Sequence, residues 1–192
     1  MVFGKIQAFV DDPTNLSKQF HAILANLILE GIFFTAAFFF FNSLARDNRM
    51  LGSNNMINLI KADETQHSVF YGDVMKILMA ENPEINTEEN HQIAIEFIKA
   101  CVEKEKEWAG YIFKDIETFT LQEYYDYVEY LANITCRNAG IQEAYPENTS
   151  LKSPWVIKYG TKGGDKEAAT KQDFFQTNVI GYGHESGGGF DL

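Results

Sequence analysis

Three ionisable side chains stand where the helical patterning of this chain demands core. From position 29 the sequence reads L-E-G-I-F-F-T-A-A-F-F-F-F, then a short turn, then I-N-L-I-K-A-D-E-T-Q-H-S-V ending at position 69. On the second of these helices Ile57, Ile60, Glu64, His67, Tyr71, Val74 and Leu78 follow one another in steps of three and four. They share one face, so the Glu64 carboxylate and the His67 imidazole are expected to point the way the isoleucines do. The first helix repeats the arrangement with Ile23, Leu27, Glu30, Phe34, Ala37 and Phe41. An unpaired carboxylate in a core costs several kcal/mol or takes up a proton, so buried acids pair or bind metal. Glu30, Glu64 and His67 are therefore candidate ligands for a cation.

The bulk composition narrows the alternatives. A chain of 192 residues, 45% hydrophobic, is long enough for one domain with a real core. Its net charge of -11 argues against nucleic acid as a partner, because phosphate contacts need clustered lysine and arginine. The two cysteines, Cys101 and Cys136, match no metal spacing, and a reduced, cytoplasmic compartment is the simplest reading. No signal-peptide layout opens the chain. Ile23 to Ala45 is apolar enough to pass for a membrane span, but Asn26 and Glu30 interrupt it, and a soluble buried helix fits better. Five phenylalanines between Phe34 and Phe41 cover the whole circumference of that helix, which places it at the centre of a bundle.

Capping and breaker residues divide the chain into long helices joined by short turns, the pattern of an all-α bundle. Residues 1–12 read as irregular, and Pro13 with Thr14 or Asn15 opens a helix to about Arg46. Gly52 breaks the chain and Ser53 caps a second helix to about Ala80. Asn86 with Glu89, and Thr120 with Glu123, form capping boxes for a third and a fourth helix, the last ending near Gly140. After Pro146 the composition turns to proline, glycine and mixed charge. The chain thus divides into a helical part, 1–145, and a loosely structured part, 146–192, ending in a glycine-rich tail with apolar anchors.

Glu64-x-x-His67 is the i, i+3 element that ferritin-like di-metal carboxylate proteins use, with single acids from other helices. The plain alternative is a buried ion pair serving packing specificity. A second such pair, Glu88 and His91, falls in the first turn of the third helix, where acids complement the helix dipole, and reads as a solvated helix start. The run from Glu103 to Glu107 reads as an exposed face with lengthwise ion pairing. Tyr124, Tyr125, Tyr127 and Tyr130 read as packing.

Glu30-Gly-Ile-Phe-Phe followed by Asp63-Glu64-x-x-His67 resembles the second half of the small, radical-generating subunit of class I ribonucleotide reductase. Phe174-Phe175, Tyr182 and the final Phe190-Asp191-Leu192 resemble that family's end. The resemblance runs from about Asn15 to the C-terminus and implies a ferritin-like bundle holding two irons, two manganese ions or a mixed pair. It implies that Glu30, Glu64 and His67 ligate the second metal, and that Phe34, Phe38 and Ile60 form an apolar pocket shielding the radical. Asp63 would orient a metal-binding histidine and carry proton-coupled electron transfer, Tyr182 would relay the radical between subunits, and the last residues would dock on the large subunit. The resemblance further implies that the assembled small subunit is a homodimer, whose radical serves the large subunit in reducing ribonucleotides to deoxyribonucleotides.

The departures carry equal weight. The family's first acid ligand, first Glu-x-x-His and radical tyrosine lie far upstream of the residue matching Glu30, and here only 29 residues precede it. Ala62 stands where many relatives carry arginine. Three protein ligands cannot hold two metals. The expectation is therefore a split subunit, whose N-terminal half, a separate polypeptide, supplies the other ligands. The alternatives are a non-catalytic protein binding the large subunit through its tail, and a ferritin-like oxygenase or metal-storing dimer completing its site by symmetry.

Overall fold

Helix signals in the sequence are met one by one in the computed structural model, which describes residues 1–160, all of them in helices, turns or irregular chain. Asn15 caps α2 (Leu16–Ile28), its side-chain oxygen accepting from the Lys18 backbone N–H at 3.1 Å. A π-helical segment, Leu29–Phe34, continues directly into α3 (Thr35–Arg46). α4 (Leu51–Glu81) is the longest element, followed by α5 (Glu88–Ile112) and α6 (Leu121–Ala139). Thr120 and Glu123 form a full capping box at the start of α6, and Gly140 ends it in the left-handed region at φ 75°. A short α7 (Trp155–Gly160) closes the described chain.

Local expectations are corrected at three places. Residues 1–12 are not irregular: α1 (Val2–Asp11) forms there and packs on α2, ending where Asp12 and Pro13 stop it. α4 begins at Leu51, ahead of Ser53, because Met50 takes a left-handed conformation at φ 53° and turns the chain sharply before Gly52. The α5 cap is Thr87, whose hydroxyl accepts from the Asn90 N–H.

The core face of α4 also lies one residue position round from the apolar stripe. Its buried residues are Asn54, Asn58, Ser68, Gly72, Met75 and Met79. Small and polar side chains line this face because the neighbours come so close. A Cβ on Gly72 would stand 2.6 Å from the Asn138 carbonyl oxygen of α6. The stripe carrying Glu64 and His67 is left at the edge of the packed region. Phe34 (46% exposed) and Ile60 (45%) are open rather than enclosed, so the phenylalanine-rich helix is covered on one side only by the described residues.

Phe39 anchors that covered side. Its fully buried ring meets Phe119, Tyr124, Tyr127 and Trp155 at centroid distances of 4.7–5.4 Å, joining α3, α6 and α7. Burying a side chain of this size contributes about 1.5–3 kcal/mol. The run from 103 to 107 is not all solvated: the Tyr124 hydroxyl donates to Glu105 at 2.7 Å, and Lys106 reaches Glu129 of α6 at 2.7 Å. Burial raises the Glu105 carboxyl above its ordinary value.

Polar side chains fix the chain beyond Pro146. Asn133 donates to the carbonyls of Tyr145 and Asn148, and Asn148 donates in turn to the Asp126 carbonyl. At the end of α7 three asparagines converge on one atom. Asn58, Asn54 and Asn42 donate to the Tyr159 carbonyl oxygen at 2.7, 2.8 and 3.3 Å. Asn42 also donates to the side-chain oxygens of Asn54 and Asn58.

Candidate metal centre

Glu30 sits in the π-helical segment, whose widened turn re-aims side chains and recurs at functional sites. The Thr35 hydroxyl donates to the Glu30 carbonyl at 2.9 Å, satisfying an oxygen displaced from the α-helical ladder. Gly31 makes the position workable: a Cβ there would meet the Thr135 hydroxyl at 2.7 Å and the Ser68 hydroxyl at 2.9 Å. Only a glycine lets α4 and α6 press this close to the segment that carries Glu30.

The three expected ligands come together. His67 Nδ1 lies 2.9 Å from Glu64 Oε2 and 3.5 Å from Glu30 Oε2. One ligand atom from each residue falls within 4.8 Å of the others. The Glu30 and Glu64 side chains are largely buried, while the His67 ring is open on its outer side. Glu30 Oε2 is buried with no hydrogen-bond partner among the described residues. Burial pushes the Glu30 carboxyl up to about 7, and the facing Glu64 adds to the effect. Glu64 is held below its ordinary range, chiefly by the hydrogen bond a protonated Glu30 gives it and then by His67. His67 is raised, first by its hydrogen bond to Glu64.

Two carboxylates turned toward each other and an imidazole form an oxygen and nitrogen donor set suited to first-row divalent metals. The orphaned Glu30 oxygen is the acceptor such an ion would satisfy. The residues fit a metal.

The other expected site residues surround this cluster unevenly. Phe38 is buried, whereas Phe34 and Ile60, each one turn from a ligand, are exposed. Asp63 is exposed, and its carboxylate makes no hydrogen bond or ion pair among the described residues. Tyr182, with Phe174, Phe175 and the C-terminal Phe190, Asp191 and Leu192, lies outside the described residues. Glu88 and His91 stay apart from the centre, His91 pairing with Asn86 Oδ1 at 2.9 Å. The packing roles of Gly31 and Thr35 are not legible in the sequence. A glycine directly after a core acid is the one signal that could have marked them.

The family described as ribonucleotide reductase, small chain, matches residues 4–154. The chain belongs to that family. It is 32% identical to the ribonucleoside-diphosphate reductase subunit beta of Halalkalibacterium halodurans over 188 residues, which are 96% of this chain and 52% of the relative. Against the same subunit of Treponema pallidum it is 32% identical, covering 93% of this chain and 50% of the relative. Its fold superposes on the ribonucleotide reductase R2 subunit of Clostridium botulinum with a TM-score of 0.78 at 30% identity, over 84% of this chain and 51% of that one. The chain thus spans about half the length of the curated relatives it matches. Its all-α bundle is that of the ferritin-like small chains.

Proposed function

We propose that this chain forms one wall of the di-metal centre of a class I ribonucleotide reductase small subunit. The opposite wall comes from helices outside these 192 residues, since the chain spans about half the length of the relatives it matches. Support comes chiefly from one observation. Glu30, Glu64 and His67 gather at the margin of the packed region, beside the exposed Phe34 and Ile60, so the cluster faces outward from the chain that supplies it.

In this reading Glu30, Glu64 and His67 would hold one of the two metals. A bound di-iron, di-manganese or mixed manganese–iron pair supplies the oxidising power that makes a radical for reducing ribonucleotides to deoxyribonucleotides. The chain's own residues do the rest. Phe38, with Phe34 and Ile60 once covered, excludes water from the ligand cluster. Glu30 gives up its proton when a cation arrives, because the site can then hold its charge. Asp63 positions a ligating histidine and passes protons, and Tyr182 passes the radical onward. Residues 1–145 form the bundle half and 146–192 the docking part, whose end binds the large subunit as a tail in a groove. The assembled subunit is a cytoplasmic homodimer.

Co-expression with a candidate N-terminal half tests the proposal, by metal content and radical spectroscopy on the co-purified pair. A metal-loaded, radical-bearing complex is expected. The chain alone is expected to be metal-poor and to self-associate through its open apolar face. A pair that neither associates nor takes up metal ends the proposal. A Glu30→Ala, Glu64→Ala double variant that keeps its biological effect would point instead to a non-catalytic binder of the large subunit.

A further inference from the structure

A cavity of about 410 Å³ opens between α4, α6, α7 and the π-helical segment, with Lys61 in its wall. It adjoins the metal centre but is built from other side chains, and its chemistry stands whether or not Glu30, Glu64 and His67 hold a metal. The volume lies in the range of small-molecule sites. Tyr127, Leu131, Ile134, Leu151 and Val156 give it an apolar body. Asn58, Gln66 and Asn138 supply polar groups at its margin.

Lys61 is the feature that fold packing leaves unexplained. Its ammonium lies 5.9 Å from the Tyr127 ring centroid, and a Cβ placed on Gly160 would meet it at 2.7 Å. Among the described residues no carboxylate pairs with it, and no hydrogen bond from Nζ is made. The Asn42 Oδ1 atom, 2.8 Å from that same Cβ position, is buried and also lacks a donor. Burial alone lowers the Lys61 amine to about 8. Lysines rarely enter a protein interior without a partner, since the desolvated charge is costly.

The geometry points to this cavity as a binding site for a small monocarboxylate with an apolar body, its carboxylate paired to Lys61. One ammonium neutralises one charge, and a dianion such as phosphate would bring an uncompensated charge into apolar surroundings. The apolar wall accepts the hydrocarbon part. A carboxylate of residues 161–192, which follow Gly160 at the cavity wall, has the same chemistry, so the experiment separates the two sources.

Isothermal titration of the full chain, alone or co-purified with its completing polypeptide, is run at pH 7 with 4-phenylbutyrate and with its amide. One saturable site for the acid is expected, with at least tenfold weaker binding of the amide. Lys61→Met loses at least tenfold in affinity for the acid, Lys61→Arg keeps most of it, and the exposed Lys114→Met is unchanged. Equal binding of acid and amide, or wild-type affinity in Lys61→Met, overturns the inference. So does a wild-type chain that binds no acid, whether its site stays empty or its own residues 161–192 already hold Lys61.

Discussion

Glu30 Oε2 lies 3.5 Å from His67 Nδ1, tying the π-helical segment to α4 across the open edge of the bundle. Without a cation the contact has a definite pH dependence. The folded-state value of Glu30, about 7, lies above its ordinary 4.5, so its protonated form is the favoured one. Stability from this group is therefore present at low pH and lost as pH rises toward 7. His67, also raised, acts in the same direction above its ordinary 6.5. Glu64, lowered, acts oppositely and only as pH falls below its ordinary 4.5. The metal-free protein is thus expected to lose thermal stability between about pH 5 and 8, and Glu30→Gln to flatten that slope. Melting curves by circular dichroism across this range check it.

Gly31 sets how closely the metal wall packs on α4 and α6. Gly31→Ala forces a methyl group against the Thr135 and Ser68 hydroxyls, at 2.7 and 2.9 Å. Overpacking of this kind costs about 1–3 kcal/mol. Urea denaturation should show that loss, together with weaker metal uptake by the assembled complex. A Gly4→Ala control, in α1 with open space around it, should change neither.

The asparagine cluster roots α7 on α3 and α4. Asn58→Ala leaves the Tyr159 carbonyl short of its nearest donor and Asn42 short of an acceptor. Breaking buried hydrogen bonds of this kind costs about 1–3 kcal/mol. Because Trp155 of α7 packs at a tilt against Phe39, 4.7 Å between ring centroids, and lies under Arg46, loosening the helix should move its fluorescence to the red. The measurement is made in a Trp108→Phe background, where Trp155 is the sole indole.

Lys61 opposes folding as long as its cavity holds no anion. The amine falls from 10.5 to about 8 on folding, a difference of roughly 3 kcal/mol between its two protonation states. Because the folded value is the lower one, stability rises with pH between about 8 and 10.5, and the cost is complete below about pH 8. Lys61→Met should stabilise the protein at pH 7 by about 1–3 kcal/mol and remove the alkaline rise. Chemical denaturation at pH 7 and pH 10 checks both.

Much of this arrangement can be read from residue order alone. The Thr120–Glu123 box, the Gly140 stop and the Asn15 start depend on a few neighbouring residues and appear where their chemistry places them. The meeting of Glu30, Glu64 and His67 is legible because an acid or imidazole on an apolar stripe has few explanations. The π-helical segment is not legible, since it depends on how closely Ser68 and Thr135 approach Gly31 from other helices. The packed face of α4 is hidden for a related reason. Asn54, Asn58, Ser68 and Gly72 are chosen for close approach and hydrogen bonding, so counting apolar residues favours the neighbouring stripe. That stripe lies at the open edge of the described residues, with Ile60 exposed. Lys61 also looks like an ordinary solvated lysine until α6 and α7 close around it.

The metal content of the purified, co-expressed assembly, set beside that of its Glu30→Ala, Glu64→Ala and His67→Ala variants, asks whether these three side chains form a metal-binding wall. Two metal ions per assembled bundle are expected, as in ferritin-like di-metal carboxylate sites, with each substitution removing at least one. Undiminished metal in all three variants would show that the cluster is an ion pair at the edge of a helix bundle and no part of a metal centre.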